Sequence, residues 1–320
     1  MCCPDFVGIW EFVTKYSKGE QDMKLSTTTG IIEKRFGHAE AIKMIAQAGF
    51  DAYDMDMTRL HVSATSIFND SMDYVKSLKN VADENGIVCN QAHAPFPTQL
   101  NGNAQYNKRT FDMIIKSIEY ASLLGAKVIV VHPIKNSSSS LVNGTSYEPF
   151  ESRQQLYDEN IKFFKNLIPY CEKFNIKIAV ENMWERHPLR QDTLIPAILG
   201  YAEEHSRFIK NVGSKWIVGC LDIGHSLICG EKPQDAIHFL GSDLKALHIH
   251  DCNGYEDSHT LPYSMNTDWA SILKALADIK YEGDFTFEAH NFLVNYPDEL
   301  FPEAMRYMCA IGRYMIEQIV

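Results

Sequence analysis

A chain of 320 residues, 45% hydrophobic and 22% charged, has an ordinary globular composition, and its length suits one α/β barrel, a fold of about 250 residues or more. A formal net charge of -11 argues against nucleic acid or anionic membrane as a default partner, because phosphate binding needs a positive field. No apolar stretch approaches the ~20 residues that cross a bilayer, and eight cysteines with no CxxC pair point to a reduced, cytoplasmic setting.

Residues 1–22 (MCCPDFVGIWEFVTKYSKGEQD) lack a basic segment and a continuous apolar run, so they read as an N-terminal arm or extension and not as a signal peptide. From Met23 onward, short apolar runs alternate with longer segments of helical period. The expected strands are Lys24 to Thr28, Ala52 to Asp56, Val88 to Ala92, Lys127 to His132, Lys177 to Glu181, Trp216 to Asp222, Leu244 to His250 and Asp284 to Glu288. Helical segments such as HAEAIKMIAQAGF, NKRTFDMIIKSIEYASLLG and DWASILKALADI separate them, and a last helix runs from about Pro302 to Ile319. Gly49 and Gly125 stand where a helix hands over to a strand and needs a left-handed cap.

Eight β-then-α units predict an α/β fold, a single (β/α)8 TIM barrel over residues 23–320, in preference to an open doubly wound sheet. No glycine-rich loop follows the first strand, which weakens a dinucleotide-binding alternative. The tract KNSSSSLVNGTSYEPF, Lys135 to Phe150, follows the fourth strand and is a candidate lid on the catalytic face.

A barrel keeps its chemistry at the C-terminal ends of its strands. Here those ends carry His93, His132, Glu181, Asp222 with His225, His250 with Asp251, and Glu288. Each closes an apolar run, where a carboxylate or imidazole is costly unless paired or bound to a metal. A lone His after a strand is more often a hydrogen-bonded structural residue, but four successive strands ending this way favour one shared cation. Two glutamates, an aspartate and an imidazole suit Mn, Mg, Co or Zn. His248 and His250 share a strand face, and His250, nearer the mouth, is the expected ligand, with His248 left in the core. Trp184, Glu185, Arg186 and Arg190 occupy a loop that shapes binding or is merely solvated. Cys252 has no dedicated base in view, and His38, His61, His205 and His238 are expected to be structural or exposed.

At these motifs the chain resembles the xylose-isomerase-like TIM-barrel superfamily, which holds sugar isomerases, ketose 3-epimerases, inosose dehydratases and endonuclease IV-type repair enzymes. The ordered set Glu181, Asp222-Ile-Gly-His225, His248-Ile-His250-Asp251 and Glu288 carries the resemblance from about Met23 to the C-terminus. In the epimerase branch the matching Glu, Asp, His and Glu hold one divalent metal ion, and the glutamates move protons beside a carbonyl. The resemblance therefore implies Glu181, Asp222, His250 and Glu288 as metal ligands and Glu181 with Glu288 as the acid/base pair. It implies His93, His132, His225, Asp251, Asp257 and His259 as substrate-binding groups, the substrate being a small-molecule sugar or sugar derivative.

Two relatives of that chemistry stay open. A lyase, such as an inosose-type dehydratase or a C-glycoside-cleaving subunit, would reuse the enediolate step. An endonuclease IV-like site would hold three zinc ions through His93, His132, Glu181, Asp222, His225, His250, Asp257, His259 and Glu288. The acidic total and the lack of a loop interleaving basic and aromatic residues weigh against the nuclease. The last helix, rich in Met, Ile and Tyr, buries a face against its own barrel or against a second copy, so a homo-oligomer or partner subunit also stays open.

Overall fold

In the computed structural model the described residues are 23–58, 68, 72–136, 141–142, 145–146, 149–187 and 189–319. The expected N-terminal arm and His61 lie outside them.

Eight parallel strands form the barrel: β1 Leu25–Thr28, β2 Ala52–Asp56, β3 Val88–His93, β4 Val128–Val131, β7 Lys177–Glu181, β10 Ile217–Asp222, β11 Leu244–His248 and β12 Phe285–Phe287. Their hydrogen-bonded order is β11-β10-β7-β4-β3-β2-β1-β12. Ile249 bridges Phe287 in parallel and closes the ring, with its N–H donating to the Thr286 carbonyl and its own carbonyl accepting from Glu288. The chain is thus an α/β protein with the closed (β/α)8 arrangement. Strand ends differ from the expected ones by one or two residues. The seventh strand stops at His248, and Ile249 continues it as a single bridge, so His250 lies beyond the strand.

Helices cover the outside: α1 Gly30–Phe36, α2 His38–Gln47, α3 Met72–Glu84, α4 Ala104–Leu124, α5 Arg153–Phe174, α6 Ala202–Val212, α7 Ile223–Ile228, α8 Pro233–Leu240, α9 Trp269–Asp278 and α10 Phe301–Glu317. Local signals set their limits. Asn103 and Ser152 cap α4 and α5 by accepting from Tyr106 N and Gln155 N, and Gly125 (φ 103°) ends α4 in the left-handed region that glycine enters without strain. Among the described residues no helix is long and apolar enough to cross a membrane.

Two cores follow from strand alternation. Outward-facing side chains such as Ile129, Ile178, Leu221, Leu247 and Phe287 pack against the helices. Each large one adds about 1.5–3 kcal/mol on burial. Val130, Ala179, Val218, Cys220 and Ala246 fill the barrel interior. The rest of the barrel interior is polar. A bulge at Asn90 lets two consecutive residues of β3 point inward: Asn90 donates to Ser26 Oγ (3.1 Å), and Gln91 donates to Asp54 (3.0 Å).

Two antiparallel hairpins were not foreseen. One, β5 Leu141–Val142 with β6 Thr145–Ser146, lies within the tract expected to be a lid. The other, β8 Trp184–His187 with β9 Arg190–Pro196, follows β7 directly and stands beside the barrel mouth.

Candidate metal centre

Four strand ends bring Glu181 (β7), Asp222 (β10), His248 (β11) and Glu288 (just past β12) together, with one ligand atom from each inside a mutual 4.8 Å. His248 Nδ1 lies 3.2 Å from Glu181 Oε1, 3.2 Å from Glu288 Oε2 and 3.9 Å from Asp222 Oδ2. Glu181, Asp222 and His248 are buried, while Glu288 is 18% exposed and faces the opening.

The imidazole in this group is His248, the histidine expected to stay in the core, and not His250. His250, two residues further on, lies over α7, with its Nε2 3.0 Å from Asp222 Oδ1 and 3.9 Å from Asp257 Oδ1 and its ring stacked on His259 at 4.2 Å.

Four further groups adjoin the first among the described residues; Asp54/His93/His248 shares His248 with it, His259/Glu288/His290 shares Glu288, and two more extend it on either side. His93, His132 and Glu181 form one, with His132 Nε2 3.0 Å from Glu181 Oε2. His225, Asp257 and His259 form the other, with Asp257 Oδ2 lying 3.1 Å from His259 Nε2 and 3.5 Å from His225 Nε2. Glu181 joins the sets, because its Oε1 also lies 3.2 Å from His225 Nδ1. Asp251 is placed otherwise. Its buried carboxylate accepts from Cys252 N (3.0 Å), Met265 N (2.9 Å) and the Thr267 hydroxyl, so it fastens the loop after β11 and does not reach the centre.

Sequence reasoning passed over Asp54 and Gln91. Asp54 Oδ2 sits 2.9 Å from His93 Nδ1 and accepts from Gln91 Nε2, which also lies 3.1 Å from His248 Nε2. The signal was present in the second strand, AYDMD, an apolar run interrupted by an inward acid. His290 was missed as well, and stacks on His259 with ring centres 4.4 Å apart. Of the histidines expected to be structural, His205 is buried on α6, His38 lies against Tyr74, and His238 is half-exposed. Cys252 is buried, with its thiol 3.0 Å from the Glu256 carbonyl.

The residues fit a cation. Among the described residues Glu181 Oε2, His248 Nδ1, His93 Nε2 and Asp257 Oδ1 are buried with no aligned hydrogen-bond partner. That arrangement is costly unless something else satisfies them. The electrostatics agree. Burial opposes ionisation of Glu181, but His248 and His132 hold its carboxyl well below the usual range. Burial likewise opposes ionisation of Asp222, yet His225 and His250 bring it to about 2. Burial pulls His93 down, but Asp54, with Glu288 and Glu181 behind it, raises it to about 10. Carboxylates ionised this firmly, among imidazoles, are a mixed O/N donor set for a divalent ion.

The β8–β9 hairpin supplies the wall. The Trp184 indole N–H donates to Asp257 Oδ2 (3.1 Å), and its ring meets His225 edge-on at 6.3 Å. Arg186 reaches to 5.9 Å of the same ring, whereas Arg190 is exposed at the hairpin's far end.

A barrel closed by eight parallel strands, with acids and imidazoles converging at its C-terminal mouth, is the class that fold and site define together. The chain belongs to the xylose isomerase-like TIM barrel family, whose model matches residues 42–311. It is 26% identical over 285 residues to the uncharacterized protein MJ1311 of Methanocaldococcus jannaschii, covering 87% of each chain. It is 24% identical over 259 residues to D-psicose 3-epimerase of Ruminiclostridium cellulolyticum, covering 77% of this chain and 76% of that one. A crystal structure of a D-tagatose 3-epimerase-like protein superposes with a TM-score of 0.69 at 22% identity, over 93% of this chain and 98% of that one. At that identity the structural likeness speaks for the fold.

Proposed function

We propose that this protein is a divalent-metal-dependent sugar isomerase or epimerase that moves a proton on the carbon beside a carbonyl. The observation that carries the reading is the placing of Glu181 and Glu288 on separate strands, each 3.2 Å from the same His248 nitrogen. Two carboxylates then flank one small volume. The similarity to proteins named as ketose 3-epimerases supports the sugar as substrate class.

Glu181, Asp222, His248 and Glu288 would hold the ion, with His248 taking the place first expected of His250. A bound Mn, Mg, Co or Zn ion would supply Lewis acidity, which makes the α-proton acidic enough for a carboxylate to remove. Glu288, the exposed member, would take that proton, and Glu181, drawing a proton from His132 (Nε2 3.0 Å from its Oε2), would return one from the other face of the planar enediolate, with His132 reprotonated from solvent. His225 and His259, both beside Asp257, would hold substrate hydroxyls. Solvent deuterium incorporation into ketoses by the metal-reconstituted protein tests the proposal; no exchange at verified metal occupancy defeats it.

A second reading is favoured by two of the adjoining ligand groups, since His93/His132/Glu181 and His225/Asp257/His259 give room for three ions around Glu181. Such a centre suits phosphodiester hydrolysis of the endonuclease IV type. Metal stoichiometry separates the two: about one ion per chain supports the isomerase, and three zinc ions with cleavage of an abasic-site duplex support the nuclease.

A further inference from the structure

Lys135 leaves the end of β4 at the rim of the mouth. Its Nζ donates to the Trp184 carbonyl at 2.8 Å and lies 4.8 Å from the centre of the Trp184 ring and 5.5 Å from that of Phe96. Both rings belong to the wall of the site, because Phe96 packs against His132 at 4.7 Å and Trp184 against His225 at 6.3 Å. The ammonium is therefore fixed between two aromatic faces beside the proposed ligands.

Among the described residues its bonding is incomplete. An ammonium has three donors, and the Trp184 carbonyl takes one. Aromatic faces attract the charge without accepting its remaining hydrogens as a carboxylate would. Among the described residues no carboxylate lies within 4.0 Å of Lys135 Nζ. Glu185, Asp257 and Glu181 act on it only at longer range, and burial outweighs them, lowering its pKa to about 8. Asp257 and Glu181 already face histidines and the candidate ion site. A half-buried ammonium held between two rings at the edge of a binding site is placed to meet an acceptor from outside the chain.

We propose that Lys135 is a substrate-anchoring residue that binds an anionic oxygen group, so that the preferred substrate is an acidic sugar. The group is a phosphate or a carboxylate on the substrate, remote from the reacting carbonyl. The aromatic walls exclude water around the contact and strengthen it. This inference rests on the sugar isomerase or epimerase reading above.

The test measures kcat and KM for deuterium exchange by the metal-loaded full chain with three probes: D-fructose, D-fructose 6-phosphate and a keto-hexonate. The wild type is expected to favour one acidic sugar over the neutral one in kcat/KM by about tenfold or more, the range of a charge-assisted hydrogen bond. The phosphate and carboxylate arms identify which anion is read. Lys135→Met should collapse that ratio through KM for the acidic sugar, and Lys135→Arg should restore part of it. A wild type with no acidic preference overturns the inference, as does a Lys135→Met that lowers neutral and acidic turnover alike. Exchange with neutral ketoses alone overturns only the anion contact. No exchange with any sugar at full metal occupancy overturns the functional reading, and this inference with it.

Discussion

A Cβ atom on Gly224 would stand 2.0 Å from Cε1 of His250 and 2.6 Å from its Nε2. The glycine of the Asp222-Ile-Gly-His225 motif is therefore a space left for the His250 ring, which lies against the Asp222 carboxylate. Gly224→Ala should push that ring off Asp222. The expected result is metal affinity reduced by about 10–100-fold, the usual effect of disturbing a ligand's supporting contact. Overpacking adds a stability loss of about 1–3 kcal/mol. Chelator competition and thermal melting measure the two, and an unchanged metal affinity would remove His250 from any supporting role.

His248 and His250 differ in kind. His248→Ala deletes a proposed ligand and is expected to weaken metal binding by more than about 100-fold, whereas His250→Ala should cost about tenfold. Elemental analysis after dialysis against a graded chelator ranks them. The opposite order would return the ligand role to His250.

Glu181→Gln and Glu288→Gln keep the shape of the side chain and remove its basicity. Each is expected to lower solvent deuterium exchange by about 10²–10⁴-fold, normalised to the metal-loaded fraction, with the circular dichroism spectrum kept. Exchange surviving in both variants would exclude them as the acid/base pair.

The pH dependence of stability has a defined sign. Burial lowers the His93 and His259 rings, but Asp54 beside the first, and Glu288 with Asp257 beside the second, raise each to about 10. These values exceed the unfolded one of about 6.5. Their stabilisation of the metal-stripped protein is therefore complete below about pH 6.5 and is lost as pH rises towards 10. The depressed Glu181 carboxyl acts oppositely, stabilising above its unfolded value of about 4.5 and losing this as pH falls. The Tm of the stripped protein should be highest near pH 5–6.5. A metal ion competes with the histidine protons, so its affinity should rise over the same upper range and the Tm gap between loaded and stripped protein should widen. A gap constant from pH 6 to 9 would contradict the coupling of metal to these histidines.

The barrel was legible because hydrophobic alternation and glycine stops are local properties, as at Gly125 closing α4. The convergence of Glu181, Asp222 and Glu288 was legible because a carboxylate ending an apolar strand has few inexpensive explanations. Which of His248 and His250 joins them was not. Their parity is identical, and only their depth along β11 separates the ring inside the ligand group from the one over Gly224. The partners of Asp251 were hidden for a related reason: Met265 and Thr267 lie fourteen and sixteen residues further on. The β8–β9 hairpin escaped because its residues are mostly polar and follow no apolar period, so Lys135 had no visible wall to lean on.

The seam between β1 and β12 is fastened from the far end of the chain. Gly312 of α10 leaves no room for a Cβ against Leu25 (2.4 Å) and Phe287 (2.7 Å), and Arg313 grips Asp51, whose carboxylate also holds Leu25 N at 2.9 Å. The strand that leads to Glu288 is thus braced by α10 from behind, so a change that loosens this helix should unsettle Glu288 before it reaches Glu181 or Asp222, whose strands lie away from the seam.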